Sequence, residues 1–286
     1  DGDLVDTTDD GPPPLRRRAR VRDDSAFADQ VCSPDRTFDR EQAGRRISGS
    51  QRTGGAASIA ILTFADGGMS DVPRRVMLCD SQWNHRQYAR RHGYDLLWED
   101  DKDVAAAGRT GHWNKLVALA RWLPRYDWVM WIDADALFLN QSIALESVIK
   151  NATDGVAGPD GLGPRLILAR DYDFLNTGVM ILRGGEQSDA MEFLRAVYHY
   201  PNATEQPLAD LNYWEQGAIN FVLNGFPETR FTVASGWASV IGGRVLNARV
   251  GEFWPVTMEV ANPDDTLVMH YPGFSGVRKM RRERLG

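Results

Sequence analysis

Residues 128–132 read Trp-Val-Met-Trp-Ile, and two carboxylates, Asp133 and Asp135, follow at once. An apolar run of this length and composition has the character of a buried strand. Carboxylates are rarely buried unless a cation or metal accompanies them. Whatever fold the chain adopts must therefore end a buried strand where negative charge is neutralised. In an extended segment, side chains two residues apart project to one face. Asp133 and Asp135 can thus converge beyond the strand's carboxyl end, where open α/β sheets bind ligands. Two hard oxygen donors with an incomplete shell suit Mg²⁺ or Mn²⁺, with phosphate oxygens of a nucleotide diphosphate filling the remaining positions. The bland alternative is an exposed turn in which each Asp caps backbone N–H groups.

The chain's 286 residues hold one large α/β domain with an appendage, or at most two small domains. Its charged fraction of 25% and net charge of −6 give no general reason to expect a nucleic-acid partner. Residues 1–55 run from acidic to proline-rich to basic with few apolar side chains, and read as a poorly ordered stem or linker. Its removal is expected to leave the rest nearly unaffected. The arginines between Arg16 and Arg22 read as a solvated charge run. Cys32 and Cys79 are too far apart for a metal knuckle, leaving reduced thiols and one disulfide as open alternatives. Sequons at Asn140, Asn151 and Asn202 favour a secretory-pathway protein. No run of about 18 apolar residues exists, and the chain starts with Asp. An N-terminal membrane anchor absent from this stretch is accordingly expected.

From residue 57 the pattern becomes that of a folded domain, taken here as 56–286. "ASIAILTF" reads as a strand, "VPRRVMLCDSQWNHRQYARRHGY" as a helix and "YDLLWED" as a second strand. This βαβ opening implies a mostly parallel sheet flanked by helices. "HWNKLVALARWL" is a helix stopped by Pro124, and "ALESVIK" a short helix after the Asp pair. "RLILARD" and "GVMILRG" are strands bracketing "YDFLNT". Two more helices, "SDAMEFLRAVYHY" and "NYWEQGAINFVLNG", precede a last strand in "DTLVMHYPGF".

The run "WIDADALFLN" resembles the DxD segment of GT-A-fold glycosyltransferases. A wider set resembles glycosyltransferase family 34: "NHRQYARRHGYDL" (84–96), "WNKL" (113–116), "LNTGVMILR" (175–183), "WEQGAI" (214–219) and "MHYPGF" (269–274). The segments stand in the family's order across roughly residues 58–275. The family includes fungal α-galactosyl- and α-mannosyltransferases and plant α-glycosyltransferases of xyloglucan and galactomannan. The resemblance implies an α/β, GT-A-like, Rossmann-type mixed sheet. It implies Mn²⁺ or Mg²⁺ held by Asp133, Asp135 and His270, with Asp133 on metal or ribose. It places Asn176 near the donor sugar with Gly178 allowing close backbone passage, and Glu215 and Gln216 near the reacting carbon. Lys115 is expected to reach a sugar hydroxyl or phosphate, with a solvated surface lysine as the alternative.

The implied activity is retaining transfer of a sugar from UDP-galactose, UDP-xylose or GDP-mannose to a glycan hydroxyl, forming an α-glycosidic bond in the Golgi or another secretory lumen. The partners are then a nucleotide-sugar donor, a glycan acceptor and other transferases in homo- or hetero-oligomers. Two alternatives stand beside it: a catalytically silent nucleotide-sugar-binding subunit, and a glycogenin-like retaining transferase. One departure is visible. Family members follow the histidine with a glycine and soon a lysine that neutralises the leaving diphosphate. Here Gly273 is present, but the first basic residues are Arg278 and Lys279, several positions later. Of nine tryptophans, Trp98, Trp113, Trp214, Trp237 and Trp254 are candidates for a sugar-stacking platform or for core.

Overall fold

The structure, a computed structural model, describes residues 46–47, 57–65, 72–100, 109, 111–156, 163–170, 175–186, 188–203, 214–225, 231, 238–241, 245–247 and 266–270. The opening βαβ unit forms as the apolar periodicity predicts. Strand β2 (Ile59–Ala65) leads into helix α1 (Val72–His92) and strand β3 (Asp95–Asp100), and β2 and β3 pair in parallel. Gly93, at φ 74°, ends α1 in the left-handed conformation that glycine tolerates. Helix α2 (Asn114–Trp122) then runs into a 3₁₀ turn, Leu123–Arg125, where Pro124 bars a further α-helical bond. Strand β4 (Trp128–Ile132) returns parallel to β2 on its other side.

The remaining strands complete a mixed sheet. Strands β6 (Leu166–Arg170), β7 (Leu175–Arg183) and β8 (Ala238–Ile241) extend it, and β1 (Arg46–Ile47) edges it, in the order β1-β3-β2-β4-β7-β6-β8. β7 runs antiparallel to both β4 and β6. A smaller sheet, ordered β5-β10-β9, joins β5 (Ala136–Phe138), β9 (Val245–Asn247) and β10 (Val268–His270). Helices α3 (Leu145–Thr153), α4 (Ala190–Ala203) and α5 (Trp214–Leu223) complete the described elements.

Strand alternation divides the core between the two faces of the large sheet. Val129 and Trp131 of β4 pack with residues of α2, α4 and α5, among them Leu116, Phe193 and Ile219. Met130 and Ile132 face the other way, onto Tyr88 of α1 and Leu145 and Val148 of α3. Both faces being covered explains why β4 is an unbroken apolar run.

Three local features depart from the sequence reading. The "LNT" segment belongs to β7 rather than to a loop, because Leu175 and Asn176 pair with Arg170 and Ala169 beyond a register shift that leaves Thr177–Val179 of β7 as extra residues. The Asp pair is not extended. Asp133 leaves the strand, and a turn closed by Ala136 N–H donating to Asp133 O (3.0 Å) carries Asp135. Asn151, whose sequon reads in the sequence as a loop position beside a turn, lies within α3. Most of the segment 1–55 lies outside the described residues, but Arg46–Ile47 pair with Leu97 and Leu96 of β3. Cys79 is disulfide-bonded, and the sequence has one other cysteine, Cys32. Among the described residues no helix is long and apolar enough to cross a membrane.

Candidate active site

The antiparallel pairing of β4 with β7 puts Ile132 opposite Val179, so the carboxyl end of one strand meets the amino end of the other. Asp133 N–H donates to Gly178 O at 2.8 Å, carrying the ladder one step further. β5 starts directly after Asp135, and β10 pairs with it so that His270 lies opposite Ala136. Three distant pieces of chain thus meet at one point. His270 Nε2 is 3.2 Å from Asp135 Oδ1 and 3.7 Å from Asp133 Oδ2. One ligand atom from each of the three residues lies within 4.8 Å of the others. Two carboxylates and an imidazole on separate short elements fit a divalent cation with coordination positions left open.

Lys115, in the first turn of α2, is buried, so it is not a solvated surface lysine. Its Nζ lies 3.3 Å from Asp133 Oδ1 and 2.9 Å from Glu215 Oε1, and donates to Thr177 O at 3.2 Å. An ammonium has three donors, and these three partners match them. These contacts bridge α2 to Asp133 beyond β4, to β7 and to α5. Burial alone would pull the lysine's pKa down, but the Asp133 and Glu215 carboxylates outweigh it and hold the pKa above the ordinary value. At Asp133 burial works to raise the pKa. Lys115 first, then His270 and the Trp131 indole N–H at 2.6 Å, overcome it and keep the carboxyl below its usual range. His270 is raised: burial opposes the charge, and Asp135 and then Asp133 more than offset it.

Asn176 and Gly178 serve the histidine. Asn176 Oδ1 accepts from Gly178 N–H at 2.9 Å, while its Nδ2 lies 3.2 Å from His270 Nδ1, fixing the ring so that Nε2 faces the carboxylates. A Cβ on Gly178 would fall 2.8 Å from both ring nitrogens and closer still to Cε1. The close passage expected at Gly178 is therefore made by His270. Glu215 and Gln216 open α5. Glu215 Oε1 is taken by Lys115, whereas Oε2 is buried without a partner among the described residues. Gln216 Oε1 accepts from Thr177 Oγ1 at 3.3 Å, with one lone pair still open.

The structure thus brings together Asp133, Asp135, His270, Asn176, Gly178, Lys115, Glu215 and Gln216. Gly273, Arg278 and Lys279 lie outside the described residues. Sequence reasoning missed Thr177, whose carbonyl and hydroxyl link Lys115 to Gln216, and Trp131, whose position two before Asp133 was the available signal. It also missed His112. Trp214, the first residue of α5, is 47% exposed at a left-handed φ of 48°, and its ring stacks on His112 with centroids 4.1 Å apart. Trp98 and Trp113 are buried core, and Trp237 and Trp254 lie outside the described residues.

The fold is GT-A-like. The chain overlays on a glycosyltransferase involved in the glycosylation of the major capsid of PBCV-1 with a TM-score of 0.54, covering 80% of this chain and 100% of that one at 17% identity. Residues 55–153 match the model of the galactosyl transferase GMA12/MNN10 family, in line with the resemblance to glycosyltransferase family 34. An α-1,2-galactosyltransferase of Schizosaccharomyces pombe is 28% identical over 132 residues, 36% of this chain and 35% of that protein. Xyloglucan 6-xylosyltransferase 4 of Arabidopsis thaliana is 27% identical over 141 residues, 47% of this chain and 26% of the relative. The matches span about a third or less of the relatives' length.

Proposed function

We propose that this chain is a divalent-cation-dependent glycosyltransferase that moves a sugar from a nucleotide-sugar donor to a glycan hydroxyl, with retention and an α-glycosidic product. The observation that supports this reading best is the arrival of His270 at the Asp pair. It lies far beyond the matched residues 55–153, yet β10 carries it to the point where a metal ligand is needed. Asp133, Asp135 and His270 would hold Mn²⁺ or Mg²⁺. When bound, the cation acts as a Lewis acid on the departing diphosphate.

The other residues have separable tasks. The C1–O bond to the nucleoside diphosphate breaks with its electron pair going to phosphate oxygen. The acceptor hydroxyl oxygen bonds to C1 from the same face, and its proton passes to the departing phosphate. Gln216 offers its amide dipole to the positive charge developing at C1, an interaction made mainly in the transition state. Glu215 Oε2 offers an acceptor to a sugar hydroxyl, which would end its lack of a partner. Lys115 holds Asp133 and Glu215 in place. Trp214 offers an exposed aromatic face at the start of the same helix, to which the apolar face of an acceptor pyranose can stack.

The donor is UDP-galactose, UDP-xylose or GDP-mannose, and the compartment a secretory lumen, Golgi by preference. The disulfide at Cys79 supports an oxidising compartment. The deciding experiment measures hydrolysis and transfer with each donor, with Mn²⁺ and with chelator, and reads the product's anomeric configuration by NMR. Cation-dependent turnover of one donor into an α-product is expected. Donor binding without turnover, over a range of acceptors, would favour the silent subunit.

A further inference from the structure

Among the described residues, the strand that follows Asp135 has one strand neighbour. β5 lies at the edge of the small sheet, with β10 on one side, so the backbone groups on its other side need partners. Helix α1 provides them from side chains. Asn84 Nδ2 donates to Phe138 O at 3.0 Å, and Phe138 N–H donates to Asn84 Oδ1 at 2.8 Å. One amide thus reproduces both bonds that a neighbouring strand would make. His85 Nε2–H donates to Ala136 O at 2.8 Å. Further along, Tyr88 OH donates to Ile143 O at 2.7 Å and His92 Nε2 lies 2.9 Å from Gln141 O. Phe138 is also gripped by its ring, which stacks on Tyr88 with centroids 3.7 Å apart.

Ala136 is where this comb bears on the chemistry. It follows Asp135 in the chain and pairs with His270 across the sheet, so its position sets both. Its N–H is held by Asp133 O and its C=O by His85. His85 is fully buried and its pKa falls to about 4, chiefly by desolvation. The ring is therefore neutral, and because Ala136 O can only accept, the proton sits on Nε2.

We propose that Asn84 and His85 are positioning residues for the divalent-cation site: by completing the free edge of β5 from helix α1, they fix where Asp135 and His270 stand relative to Asp133. The inference rests on the reading of those three residues as cation ligands. It gives the "NHRQYARRHGY" segment a physical task, although none of its side chains is a metal ligand.

The test titrates Mn²⁺ into the full chain, alone and with UDP or GDP, and counts free Mn²⁺ by electron paramagnetic resonance, with thermal melting measured in parallel. Asn84→Leu and His85→Phe keep bulk but remove the bonds. Each should weaken Mn²⁺ binding roughly tenfold or more, the range typical of residues that orient metal ligands. His85→Gln, whose amide nitrogen reaches near the position of Nε2, should recover most of the affinity. Tyr88→Phe removes a bond to a carbonyl further from Asp135; it should lower the melting temperature yet leave Mn²⁺ affinity within about twofold. Wild-type affinity in Asn84→Leu and His85→Phe would overturn the proposal. So would an equal loss in Tyr88→Phe, which would mark the effect as general loosening. If the wild-type chain itself bound no Mn²⁺, with or without nucleotide, the cation reading would fall first and this inference with it.

Discussion

A methyl group on Gly178 would occupy space already filled by the His270 ring, so this glycine is demanded by packing and not by its backbone angles. Gly178→Ala should force the ring away from Asp135, costing about 1–3 kcal/mol as overpacking usually does, and weaken Mn²⁺ binding in parallel. Melting and metal titration check both, and an unchanged variant would show that the ring moves freely. Gln216 and Asp135 should separate binding from chemistry. Gln216→Ala is expected to bind donor nucleotide almost normally while losing transfer on the order of 10²-fold, the scale of removing one preorganised dipole. Asp135→Ala should lose both, because a metal ligand holds the diphosphate in ground and transition states alike. Steady-state kinetics decide it: a raised Michaelis constant with intact turnover in Gln216→Ala would make that residue a uniform binding contact.

The pairing of β5 with β10 makes the site depend on pH with two opposite signs. His270 is raised above its ordinary pKa of 6.5 by Asp135 and Asp133, against the opposing effects of burial and Lys115. Its contribution to stability in the metal-free protein is therefore full below about pH 6.5 and is lost as pH rises through the higher folded value. Metal needs the neutral ring, so Mn²⁺ affinity should rise through that same window and level off above it. Melting and Mn²⁺ titration across pH 6–9 should move in opposite directions, and a flat Mn²⁺ profile would remove His270 from the ligand set. At this scale the sequence was informative wherever periodicity is long. α1, α2, β2 and β4 follow from their apolar spacing, and the Asp pair announces the site because charge at the end of a buried strand needs a cation. β5 and β9 have three residues each, too few for a period to register, whereas β10 lies within the last strand read from "DTLVMHYPGF". Pairing His270 with Ala136, and the bridging role of Lys115, depend on contacts between residues far apart in sequence. Spacing carries no trace of them.

Across the whole molecule, two described residues at the end of the N-terminal segment touch the folded domain. Arg46–Ile47 extend the sheet, and the disulfide at Cys79 has Cys32 as its available partner. A loop of that size closed by a disulfide contributes about 4 kcal/mol in the chain-entropy treatment. Reduction should then lower the melting temperature by on the order of 10 °C for a domain of this size, measured by calorimetry with and without reductant. An unchanged melting temperature would return the segment to the status of a free stem. In the proposed function, three ligands drawn from β4's end, the following turn and β10 share a cation with a nucleoside diphosphate. Calorimetric titration of UDP and GDP, with Mn²⁺ and with chelator, tests it most directly. One nucleotide should bind at least tenfold more tightly with Mn²⁺, as coupled occupation of one site requires, and Asp135→Ala should abolish that difference. Equal nucleotide affinity with and without Mn²⁺ in the wild-type chain would contradict the account.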